Sequence, residues 1–130
     1  MWQDIYDEGK RFFEVMKKNK ESLKFLDYDS RVQFDCAGQS FFVTVRNQKI
    51  AEIKEGKHSN GLMDLILIAD EKTFSDLFRG RISPANLLYH GKIRIPAQKG
   101  KHSLIAALFQ AIRKNQEDLY KVDWDQSPLA

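Results

Sequence analysis

One cysteine in 130 residues, Cys36, leaves no internal disulfide to staple the chain, and a lone thiol suits a reducing compartment. No apolar run approaches the roughly 18 residues needed to span a bilayer. Leu65 to Ala69 has five and the longest, Leu104 to Phe109, has six. The histidines His58, His90 and His102 stand apart, without a metal-ligand spacing such as His-x-x-x-His. There is no Gly-x-Gly-x-x-Gly. Gly100-Lys101-His102-Ser103 looks like the end of a phosphate-binding loop, but the glycine required five residues earlier is Ile95. Cys36 falls in the apolar phase of a strand, where a thiol is packed rather than activated. Catalytic residues, metal and cofactor are therefore all expected to be absent, and the chain is not expected to be an enzyme.

What is present is the composition of a folded domain. Hydrophobic residues make up 42% of the chain and aromatic residues 12%, against 30% charged, which argues against disorder. A chain of this length buries roughly two thirds of its unfolded surface, so its core needs no covalent support. One domain over 1–130 is expected, with 117–130 as a tail docked on it. The first residues, Met1 to Glu8, are acidic and polar and do not read as a secretory signal, so a cytoplasmic location is expected.

The net charge of +3 is unevenly spread. Residues 77–116 hold eight bases and no acid, while four acids face one base over 117–130. If those bases share a face they set up a positive field; otherwise they form a solvated surface.

Apolar spacing at three and four residues predicts a first helix through Trp2, Ile5, Phe12 and Met16, and a short helical stretch from Asn19 to Leu26. The period then falls to two. Val32, Phe34 and Cys36, then Phe41, Val43 and Val45, then Lys49 to Gly56, predict three antiparallel strands, the last at an edge. Leu62 to Ala69, apolar on both faces except at Asp64, predicts an interior strand reached by a crossover. Asp70 and Ser83-Pro84 predict helix starts, and Ile93 and Ile95 a last short strand. A long helix follows Gly100, its end expected near Arg113 and Lys114, with Leu119, Tyr120, Val122 and Trp124 of the tail kept for docking. The fold class is thus α+β: a five-stranded mixed sheet covered by helices, in the order α-βββ-crossover-β-αα-β-α. Asp64 reads either as a charge paired at the strand entrance or as an anchor for a ligand headgroup.

From Asp64 to Ile112 the chain resembles the sterol carrier protein type 2 family. The residues that carry the likeness are Asp64 with its apolar strand, Phe74 and Leu77, then Gly80-Arg81-Ile82-Ser83-Pro84. Leu87-Leu88, Gly91-Lys92-Ile93-Arg94-Ile95 and the apolar helix complete it. The sequence departs from the family pattern at Asn86, at Pro96-Ala97 and in the acidic tail from Glu117. The resemblance implies a hydrophobic tunnel that binds lipids, whether fatty acyl, sterol-like or isoprenoid, with lipid transfer as a further expectation. It places Leu65, Leu67, Phe74, Phe78, Leu87, Leu88, Ile93, Ile95, Leu104, Ile105, Leu108, Phe109 and Ile112 on the tunnel wall. Arg79, Arg81, Lys92, Arg94, Lys99 and Lys101 would then meet headgroups or an anionic membrane surface at the mouth. One alternative is an accessory protein that presents lipophilic intermediates to a biosynthetic enzyme complex. A more distant one is a nucleic-acid-binding module that uses the same bases with Tyr89, which acids in the tail and the lack of interleaved aromatics oppose.

Overall fold

Helix α1 (Trp2–Met16) opens the chain and buries Ile5, Gly9, Phe12, Phe13 and Met16 on one stripe. The computed structural model describes residues 1–57, 63–96 and 98–125. Helix α2 (Lys20–Leu23) is shorter than the spacing predicts. Asn19 caps it, its Oδ1 accepting from the Ser22 backbone N–H at 3.2 Å. Strands β1 (Ser30–Cys36), β2 (Gln39–Arg46) and β3 (Lys49–Glu55) then form the expected antiparallel meander. Its second turn holds both Asn47 and Gln48 at positive φ, the geometry that matches strand twist in a two-residue hairpin.

Strand β4 (Leu65–Ile68) pairs parallel to β1, giving the order β3-β2-β1-β4. The chain therefore crosses the sheet between β3 and β4, as expected. The interior placement of β4 is corrected: it lies at an edge, with Leu65 and Leu67 buried and Ile66 and Ile68 half-buried. The sheet among the described residues has four strands, not five. Ile93–Ile95 makes a single bridge instead, in which Ile68 and Arg94 exchange backbone N–H···O bonds of 2.8 and 2.9 Å. The reason is local. Gly91 turns the chain just before, and Pro96 just after has no N–H to extend a ladder. Most of the loop expected at 57–61, Leu62 of the predicted strand, and Ala97 lie outside the described residues.

Helix α3 (Glu71–Phe78) starts at Asp70 and helix α4 (Pro84–Tyr89) at Ser83, both as predicted. Helix α5 (His102–Tyr120) runs six residues past the expected end at Lys114. Arg113 and Lys114 find carboxylates one turn on, Glu117 at 3.8 Å and Asp118 at 3.1 Å, so the helix continues where the bases alone suggested a stop. Of the tail's apolar residues Trp124 is buried, whereas Leu119 and Tyr120 stay partly exposed.

The core fills the face of the sheet that carries Val32, Phe34, Phe41, Val43, Leu65 and Leu67, beneath α1, α3, α4 and α5. Phe12, Phe13, Phe34, Phe41, Phe74 and Phe78 form one aromatic cluster, with Phe34 stacked on Phe41 at 4.8 Å. Gly9 lets α1 approach it: a Cβ there would lie 2.6 Å from the Phe41 ring.

The Asp70 cap makes a pH prediction. Its Oδ1 accepts from the Thr73 N–H at 2.8 Å, and Thr73 holds the carboxyl below its ordinary value of 3.8. A depressed folded value means that the cap's contribution is complete above the ordinary value and fades as pH falls through the folded one. Asp70→Ala should cost about 1 kcal/mol at neutral pH. In urea titrations across the acid range, the difference between wild type and variant should shrink as pH falls; a constant difference would refute the coupling.

Candidate functional site

An open groove of about 380 Å³ lies along the β4 edge, where Ile68 meets Ile93, Arg94, Ile95 and Pro96, with Leu88 and Gln98 completing it. The local sequence explains its walls. Leu88 leaves the buried stripe of α4 one residue after Leu87, so Leu87 enters the core while Leu88 lies half-buried at the groove. Arg94 pairs directly with Ile68, which places the two side chains on one side of the sheet edge, and Ile93 and Ile95 alternate towards the core. The hydrophobic wall is thus made by a strand too short to form a ladder.

The expected wall residues divide in two. Leu88, Ile93 and Ile95 line the groove, Ile93 and Ile95 as buried members of the core cluster that reach its wall. Leu65, Leu67, Phe74, Phe78, Leu87, Ile105, Leu108, Phe109 and Ile112 lie in the buried cluster, with Leu104 packed against it and half-buried. The expected bases divide as well. Arg79 donates from Nε to Glu8 Oε1 at 2.9 Å, and Arg81 lies 3.3 Å from Asp76, so both are held by carboxylates of α1 and α3. Lys92, Arg94, Lys99 and Lys101 make no ion pair among the described residues. Each lines the groove or lies within three residues of a chain position that does. Tyr89, next to Leu88, is 86% exposed.

Asp64 takes the bland role of its two. Its Oδ2 accepts from the Arg31 N–H at 2.8 Å, while its own N–H donates to the Arg31 carbonyl, which fastens the entrance of β4 to β1. Cys36 is buried and burial pushes its thiol upward, away from the reactive thiolate. Pro96 and Gln98 were not expected in a site, and Gln98 left no signal in the sequence; Ile68 belongs to the strand, 65–68, that carries the expected wall residues Leu65 and Leu67.

No protein-family model and no curated protein matches the sequence. Solved structures do match. A crystal structure of sterol carrier protein 2 aligns with a TM-score of 0.68 over 90% of this chain and 96% of its own, at 15% identity. The fold is that of sterol carrier protein 2. Sterol carrier protein domain 2 of Helicoverpa armigera aligns at 0.58 with 20% identity, over 82% of this chain and 84% of its own. A ubiquinone synthesis protein, UbiJ-SCP2, aligns at 0.51 with 16% identity over 77% of each chain. No helix among the described residues is long and apolar enough to cross a membrane.

Proposed function

We propose that the protein binds a lipid with a long apolar chain and an anionic head. The observation that carries this reading is a groove lined by Ile68, Leu88, Ile93, Ile95 and Pro96 together with Arg94, which makes no ion pair among the described residues, with Lys92, Lys99 and Lys101 close by in the chain. The groove lies near the low end of ligand-pocket volumes, roughly 300–1,000 Å³. It therefore takes the part of the chain nearest the head. The rest enters only if α4 and α5 part and open a tunnel among Leu65, Leu67, Phe74, Phe78, Leu87, Leu104, Ile105, Leu108, Phe109 and Ile112, side chains that the structure holds in or against the core. Burying about 15 methylenes at ~0.8 kcal/mol each supplies roughly 12 kcal/mol, enough to meet several kcal/mol of ordering cost. Such binding needs no polar constellation and discriminates weakly among chain lengths. Lys92, Arg94, Lys99 and Lys101 hold the head, and the same face with Tyr89 makes transient contact with an anionic membrane surface during loading.

Purified protein should carry lipid detectable by native mass spectrometry and organic extraction, and should release a bound fluorescent fatty acid to competing lipid. Leu88→Asp should abolish uptake while the circular dichroism spectrum is unchanged. Arg94→Glu should weaken a fatty acid about tenfold and a fatty alcohol little. Unchanged uptake by the Leu88 variant, or no lipid and no displacement at all, overturns the proposal.

A second reading, presentation of lipophilic intermediates to a biosynthetic enzyme complex, is favoured by one observation, the likeness to a ubiquinone synthesis protein. It keeps the same site and adds a partner surface. Co-purification of biosynthetic enzymes with the tagged chain supports it, and a chain that recovers no such partner excludes it.

A further inference from the structure

Another groove, of about 490 Å³, lies at the opposite edge of the sheet, where the turn between β2 and β3 meets α1 and α2. Lys17, Lys20, Lys24 and Lys49 surround Leu23 and Ile50, and no carboxylate lines it. We propose that this groove binds a phosphomonoester that carries a short apolar body.

Charge selects the class. Lys17 reaches Glu14 at 3.9 Å and Lys24 reaches Glu21 at 3.1 Å, both carboxylates outside the groove. Lys20 and Lys49 have no ion-pair partner among the described residues. Two uncompensated ammonium groups match a phosphomonoester, which carries about −1.5 to −2 at neutral pH. A carboxylate, with one charge, leaves one of them unmatched. The apolar floor of Leu23 and Ile50 then favours an organic phosphate over the bare ion.

The lysines are not explained by helix electrostatics alone. Lys17 follows α1, whose negative C-terminal end favours a cation, but Lys20 starts α2, where a cation is disfavoured, and Lys49 comes from a strand. The walls are fixed to one another. Gln48 Nε2 donates to the Lys24 carbonyl at 3.3 Å, tying the turn to the end of α2. Asn19 caps α2 and donates to Asn115 Oδ1 at 3.2 Å and to Asp118 Oδ2 at 3.1 Å, tying α2 to α5.

The test is an amide-resolved NMR titration of the full ¹⁵N-labelled chain with hexyl phosphate, inorganic phosphate and hexanoate. The amides of Leu23, Gln48 and Lys49 should shift, and hexyl phosphate should bind at least tenfold more tightly than either other ligand. Lys20→Gln combined with Lys49→Gln should abolish the shifts with the rest of the spectrum retained. Leu88→Asp, which disables the lipid groove, should leave them intact, so this site stands or falls apart from the carrier reading. Equal affinity for inorganic phosphate, shifts confined to Leu88 and Ile93, or full binding by the lysine double variant would each overturn it.

Discussion

Phe34→Ala is expected to lower stability by about 3–5 kcal/mol, the range for deleting a phenyl ring from a packed core. Phe34 is 0% exposed. Its ring stacks on Phe41 at 4.8 Å and meets Phe13 at 5.5 Å, Phe78 at 5.8 Å and Phe74 at 5.9 Å. It therefore joins α1, α3 and both central strands, and no single neighbour can collapse into the space it leaves. Against a total stability of roughly 5–15 kcal/mol, the loss brings the native state close to its limit. Urea denaturation should show a lower midpoint with little change in slope. Phe25→Ala, on a partly exposed ring, should change stability by less than about 0.5 kcal/mol. A loss of under about 1 kcal/mol at Phe34 would show that the cluster repacks, against the rigid-core premise.

Gln116→Leu should cost a comparable amount for a different reason. The Gln116 amide is fully buried on α5, and Nε2 donates to the Leu77 carbonyl at 2.8 Å and to the Ile82 carbonyl at 3.0 Å. Its Oε1 accepts from the Trp124 indole N–H at 3.1 Å. One side chain thus ties the end of α3, the loop before α4 and the tail to α5. Leucine has nearly the same reach but no polar atom, so the Ile82 carbonyl and the Trp124 indole N–H lose this partner in a dry environment, and the Leu77 carbonyl keeps the Gly80 N–H at 3.2 Å. At about 1–3 kcal/mol for each buried group left unsatisfied, a loss of about 3–5 kcal/mol is expected. Tryptophan emission should also shift to the red as Trp124 gains access to water, with half-buried Trp2 as a constant background. Unchanged emission with unchanged stability would mean that the tail docks without Gln116.

Much of the architecture was legible in the sequence because it is written in short-range periods. Val32-x-Phe34-x-Cys36 and Phe41-x-Val43-x-Val45 set two strands and their buried face, and Asp70 and Ser83-Pro84 marked helix starts that the structure shows as side-chain caps. The errors fall where a neighbour distant in sequence decides. The length of α5 depends on carboxylates one turn beyond the expected end. The reduction of Ile93–Ile95 to one bridge depends on Pro96 and on an edge strand that also pairs with β1. Asn115 and Gln116 carried no signal in the sequence, because nothing in a helical stripe announces that Phe12, Leu77 and Ile82 will offer backbone carbonyls to them.

By itself, then, the order of residues determined the α+β class, the meander, the crossover before β4 and a carboxyl-terminal half rich in apolar groups and free of acids over 77–116. These follow from alternation, capping and composition, which act over a few residues. Only the tertiary structure decided which apolar groups are core and which line a groove, because Leu87 and Leu88 differ in nothing but the direction in which α4 points them. It also decided which bases stay uncompensated: Arg79 is satisfied by Glu8 from 71 positions away, and Coulomb attraction depends on distance in space, not along the chain.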